Sequence, residues 1–124
     1  KKLKPISMSQ IIKKIKSLLP KFKYDFIFTH GENGEYGHLR HIEIHKAVKK
    51  ITKNKDIISK DIYYFSYELK NSKIPSPKIS SDLISNLNKK EYKDKINLIT
   101  KIYGFSKNSF EVKSCNKIET FTKS

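Results

Sequence analysis

Tryptophan is absent from this chain, cysteine and methionine occur once each, and 12 acidic residues face 27 lysines and arginines. The lone cysteine, Cys115, excludes an internal disulfide and any cysteine-rich zinc knuckle. It fits a reducing compartment, and a cytoplasmic location is the expectation. No apolar run approaches the roughly 18–20 residues needed to span a bilayer. The chain opens Lys1-Lys2-Leu3-Lys4 with no secretory pattern behind it, and its only methionine is Met8, so it reads as a piece of something longer. The glycines at 31, 34 and 37 do not form Gly-x-Gly-x-x-Gly, and no Gly-Lys-Ser or Gly-Lys-Thr follows them. Neither a dinucleotide loop nor a P-loop is supported.

What is present begins with charge. A formal +15 would attract nucleic acid, anionic membrane or a phosphorylated ligand by its long-range field. The cations are nearly all lysine and accompany abundant Ile, Asn and Ser, which an A/T-rich coding sequence produces as readily as selection for binding. Nucleic acid is therefore not an expected partner. Eight lysines precede the first acid, Asp25, and a solvated helix face is the expected reading. Hydrophobic residues make up 36% of the 124, with seven Tyr and seven Phe, more apolar material than a disordered tail of this charge carries. One domain over 1–124 is expected, with a modest core and little room for a self-contained metal cleft.

Ile11, Ile12, Ile15, Leu18 and Leu19 recur at helical spacing among lysines, and Pro20 closes the pattern. Tyr24 to Thr29 is aromatic and β-branched and predicts a largely buried strand ending at His30. Three glycines in the eight residues from His30 to Gly37 make a tight loop, and helical periodicity resumes at Leu39, Ile42, Ala47, Val48 and Ile51. Residues 61–69 predict a second buried strand, and Asn71 to Pro77 a break. Ser81 or Asp82 is expected to cap a short helical turn. A longer helix is expected through Ile96, Ile99 and Ile102, ending at Tyr103 before Gly104, a favourable residue just past a helix end. Phe110 to Phe121 is expected to be one irregular strand. Helix and strand alternate, which gives an α/β fold.

All four histidines, His30, His38, His41 and His45, fall within sixteen residues. His38 and His41 are three apart and His41 and His45 four apart, so on a helix they share a face and suit zinc as neutral imidazoles. The protease pattern His-Glu-x-x-His is disfavoured, because Glu43 stands two places after His41 and is rotated away. Three readings stay open here. His38, His41 and His45 form an independent metal site, the site is catalytic, or His38 caps the helix while His45 packs on its surface. A Cys115 nucleophile is a weaker alternative.

Thr29-His30-Gly31-Glu32-Asn33-Gly34-Glu35-Tyr36-Gly37-His38-Leu39-Arg40-His41 resembles the second signature of the PIG-L/LmbE-like N-deacetylases, which typically runs Gly-Glu-Tyr-Gly-His-x-x-His after a strand. Weaker matches follow in order: Tyr63-Tyr64-Phe65, the Lys95 to Tyr103 helix, and Glu119-Thr120-Phe121. The resemblance spans 24–121 and is specific in the loop. It implies a Rossmann-like, partly parallel sheet with flanking helices, lacking the N-terminal half of the family fold. It further implies one zinc ion and hydrolysis of the N-acetyl group of a GlcNAc-type sugar. His41 would be a zinc ligand, His38 would stabilise the tetrahedral intermediate or donate a proton to it, and Tyr36 would polarise the acetyl carbonyl. Glu35, Gly37 and Arg40 would line the substrate.

Two departures qualify the match. The family's first motif, His-Pro-Asp-Asp-Glu, supplies two further ligands and the aspartate base, and nothing like it occurs in these 124 residues. Arg40 stands where many members have aspartate. The expected partners are an acetamido sugar and the missing N-terminal portion, without which the chain would be inactive. A membrane anchor in the parent protein stays open, since some members are membrane-associated. The alternative function is a non-enzymatic, lysine-rich module that binds an anionic polymer or membrane surface.

Overall fold

The computed structural model describes residues 3–71 and 73–124. Lys1 and Lys2 of the basic opening and Ser72 of the expected break lie outside the described residues. Helix α1 (Met8–Leu18) starts at a capping box: the Ser7 side chain accepts from Gln10 N, and the Gln10 side chain returns to Ser7 N. It ends just before Pro20, whose ring disfavours helical geometry at the preceding residue. Ile11 is its buried residue. Strand β1 (Lys23–Thr29) follows, then a distorted helical turn, α2 (Gly34–Gly37), and helix α3 (Leu39–Lys53). Ala47, Val48 and Ile51 of α3, together with Ile57, complete the small core on one side of the sheet.

Strand β2 (Ile58–Phe65) returns parallel to β1, with Phe26 opposite Asp61, Phe28 opposite Tyr63 and Thr29 opposite Tyr64. The crossover helix α3 is what allows the parallel pairing. A two-stranded ribbon, β3 (Tyr67–Glu68) with β4 (Ser76–Pro77), leads to β5 (Leu83–Asn86). Helix α4 (Lys89–Asn97) runs into a π-helical turn (Leu98–Ile102), and a single turn, α5 (Phe110–Lys113), precedes β6 (Ile118–Lys123). The sheet order is β1-β2-β6-β5, with only the β1–β2 pair parallel. The architecture is thus mixed α/β with flanking helices. No helix among the described residues is long and apolar enough to cross a membrane.

Several expectations hold. Pro20 closes α1, and Gly104 at φ +77° takes the left-handed conformation past the Lys89–Ile102 helix, where Tyr103 N reaches Leu98 O and Phe105 N reaches Ile99 O. Others are corrected. β1 is not buried: it is an edge strand, and Phe26 and Phe28 are 56% and 52% exposed. Their rings pack beside Tyr63 and Phe121 on the sheet face away from α3, a face with its own aromatic layer but little cover.

Ser81 and Asp82 cap no helix. The Ser81 hydroxyl donates to Ser66 Oγ (2.8 Å), and the Asp82 carboxylate accepts from Lys123 N (2.8 Å), which aligns Leu83–Asn86 to pair with β6. The expected tail strand is split. Ser109 accepts from Val112 N and starts the α5 turn, so extended structure begins only at Ile118.

Candidate functional site

Thr29 is buried at the carboxyl end of β1 and delivers His30 to the edge where open α/β sheets gather ligands. The loop after it is closed by contacts that only small or amide residues allow. A Cβ on Gly31 would stand 2.3 Å from the Phe65 carbonyl oxygen. Asn33 Oδ1 accepts from Glu35 N (3.1 Å), and Asn33 Nδ2 donates to Tyr67 O (2.8 Å), tying the loop to β3. Gly34 N reaches Gly31 O and Gly37 N reaches Asn33 O. Glu35 sits at φ 60°, ψ −47°, a conformation L-residues rarely adopt and one that persists only where surrounding bonds impose it.

That backbone turns the Glu35 carboxylate inward. Oε1 accepts from Gly31 N (2.9 Å), while Oε2 takes His30 Nδ1 at 3.1 Å and is also hydrogen-bonded to His41 Nδ1. The His30 and His41 rings stack with centroids 3.8 Å apart and planes 12° apart. Burial alone would raise the Glu35 pKa. The hydrogen bonds from His30, His41 and Gly31 N, with the charge of His30, outweigh it and hold the group at about 2. The carboxylate is therefore ionised throughout the neutral range.

His38 lies against His41, centroids 4.3 Å apart, and Tyr36 packs edge-on to His38 (5.6 Å), His41 (5.7 Å) and Phe110 (4.8 Å). His38 precedes α3, yet its side chain makes no capping bond, and its buried Nδ1 has no hydrogen-bond partner among the described residues. Burial, then the neighbouring His41, His30 and Arg40, push its pKa down against the opposing Glu35, which favours the neutral imidazole. Burial, then the Glu35 and Glu111 charges, push Tyr36 up, so its phenol keeps its proton.

The remaining sequence candidates make other contacts. The Arg40 guanidinium is paired with Glu43 and donates to Lys4 O (2.7 Å), fastening the segment before α1 to α3. Gly37 has open space where a Cβ would be and takes φ +83°. His45 is buried, donates from Nδ1 to His30 O (2.8 Å), and packs on Tyr64 at 4.7 Å. It braces the loop, so His38, His41 and His45 are not brought together as a metal site.

Among the described residues the group of donors that could hold a metal is His30, Glu35 and His41, whose ligand atoms lie within 4.8 Å of one another. Helical spacing could not reveal it, because His30 ends a strand and Glu35 lies in the loop. The available signal was a histidine at a strand's carboxyl end.

A second polar cluster centres on Tyr67, whose carbonyl accepts from Asn33 of the loop. Tyr67 O–H donates to Glu119, which also pairs with Lys95, and Lys95 Nζ donates to Asn116 O (3.0 Å). Burial, with the Cys115 and Glu35 charges, pushes Tyr67 up to about 12. Burial also raises the Cys115 thiol despite nearby Lys95, which argues against a thiolate nucleophile. Compared with known protein families, curated proteins and solved structures, the chain matches none.

Proposed function

We propose that this chain carries the histidine and tyrosine side of a zinc-dependent N-deacetylase acting on a GlcNAc-type acetamido sugar. The observation that carries this reading is the convergence of Tyr36, His38 and His41 at the carboxyl end of β1, with one buried His38 nitrogen left unpaired. The parallel β1–α3–β2 unit supports reading the sheet as part of a Rossmann-like fold.

The donors present fit zinc, which takes imidazole nitrogen and carboxylate oxygen. His41 would be a ligand, and zinc when bound acidifies a water and polarises a carbonyl. The neutral His38 imidazole donates an N–H to the oxygen on which charge develops, and the protonated Tyr36 phenol donates to the acetyl carbonyl. Phe110 holds the Tyr36 ring in place.

The aspartate base and further ligands that the resemblance calls for are not among these residues, so the chain alone releases no acetate. The test is zinc-dependent acetate release from N-acetylglucosamine, GlcNAc-inositol and GlcNAc-malate, with the chain alone and supplied with a His-Pro-Asp-Asp-Glu segment. Release by the completed protein that disappears in His41→Ala is the expected result. No release from any acetamido sugar sinks the reading.

One observation favours the non-enzymatic alternative. Lys46, Lys49, Lys50 and Lys53 lie on one helical face and line a groove with Tyr64. Under that reading, polyanion affinity falls steeply with salt and is indifferent to His38→Ala and His41→Ala.

A further inference from the structure

We propose that His30, Glu35 and His41 form a divalent-cation site complete within this chain, suited to zinc or cobalt. The inference goes beyond the deacetylase reading, in which His41 is the chain's sole ligand; both use His41, and the two are told apart because metal binding by the chain alone is read separately from acetate release. Two imidazoles and one carboxylate with an open fourth position make a donor set that zinc uses in hydrolytic centres. Here they come from a strand end, a loop and a helix, and both imidazoles already address one carboxylate oxygen through Nδ1.

The carboxylate is the fixed member. Its other oxygen is held by Gly31 N at 2.9 Å, its own backbone N is held by Asn33, and its side chain is only 10% exposed. The imidazoles are the adjustable members, with side chains 27% and 25% exposed, and that opening also gives an ion its entry and its solvent ligand. Tetrahedral zinc with bonds of about 2.0–2.1 Å needs donors roughly 3.4 Å apart, closer than the 4.8 Å within which these atoms lie. Both Nδ1 atoms are already nearer than that to Glu35 Oε2, so binding requires the stacked His30 and His41 rings, whose planes are 12° apart, to turn out of the stack until their lone pairs converge on one point.

Binding requires no net proton loss from a neutral imidazole. The ring proton now on Nδ1 moves to Nε2, and the freed Nδ1 lone pair takes the metal. His45 then acts on the site through the backbone, since its Nδ1–H bond to His30 O fixes the residue that carries one ligand. The +15 net charge opposes cation binding at long range, but salt screens that repulsion beyond about 8 Å, while the ionised Glu35 acts at contact.

The experiment is titration of the metal-free chain with Zn2+ by calorimetry and with Co2+ by its visible d–d absorption. One ion per chain is expected, with at least a tenfold loss of affinity in each of His30→Ala, Glu35→Gln and His41→Ala. Cys115→Ser should leave binding intact. Circular dichroism checks that each variant is folded. Paramagnetic shifts of the His30 and His41 ring signals in the unaltered protein carry the same information if Glu35→Gln fails to fold.

Absence of binding overturns the site and leaves Glu35 as an acceptor for two ring N–H groups. Binding lost only in His41→Ala also overturns it. So does binding that depends on His38 or His45 side-chain nitrogens instead of His30. Acetate release by the completed protein is a separate readout, so a failure here does not decide that assay.

Discussion

Gly31→Ala is expected to lower the melting temperature by roughly 10 °C, corresponding to about 3 kcal/mol of overpacking strain for a chain of this size. The added methyl would stand 2.3 Å from Phe65 O and 3.2 Å from Asn33 Oδ1. Neither neighbour can yield cheaply. Phe65 ends β2 in register with Phe121, in the middle of the sheet, and Asn33 is bonded both to Glu35 N and to Tyr67 O. The loop must lift away from the sheet, carrying Glu35 out of reach of His30.

Gly37→Ala is the comparison. It meets nothing within 4 Å and bears only the cost of φ +83°, about 1 kcal/mol. Thermal melts of the two variants check this, and a Gly31→Ala protein that melts within a few degrees of the parent rules out the close approach.

The second large effect is acid lability through Glu35. Its folded pKa of about 2 lies below the ordinary 4.5, so the ionised form is favoured by folding. The sign follows from linkage. The stabilisation is complete above about pH 4.5 and is lost as pH falls through the window down to about 2, because the unfolded chain takes up the proton first. The shift corresponds to about 3 kcal/mol, and water reaching the partly exposed His30 and His41 rings reduces it to roughly 2.

Denaturant melts in metal-free buffer between about pH 6 and about pH 3 measure it. The parent should lose a little over half of this increment across that range, the rest going between about pH 3 and about pH 2, whereas Glu35→Gln, less stable at the upper end, should show a flatter profile. Parallel pH profiles for the two proteins count against the carboxylate network.

Local physics made much of the fold legible. The helical spacing of Ile11, Ile15 and Leu18 and the stop at Pro20 gave α1, and the run to Thr29 followed by glycines gave β1, the loop and α3. The sequence misled where non-local pairing chose between weak local options. Asp82 can cap a helix, but its carboxylate accepts from Lys123 N, and Leu83–Asn86 becomes a strand because β6 offers an edge. The exposure of β1 has a related cause: an aromatic run shows that a strand forms, and only the sheet order shows that this one lies at the edge with Phe26 and Phe28 exposed.

The amino-acid sequence by itself determined that four histidines would gather around a glycine loop between a strand and a helix, because periodicity and glycine's access to positive φ are properties of neighbouring residues. Only the tertiary structure decided which of them meet. Glu35 reaches His30 and His41 because the loop is closed against Phe65 and Tyr67, more than thirty residues away, and His45 is turned to the His30 carbonyl by packing on Tyr64. Those contacts depend on how β2 and β3 lie beside β1, a relation set by burial and backbone pairing across the sheet that spacing along the chain does not contain.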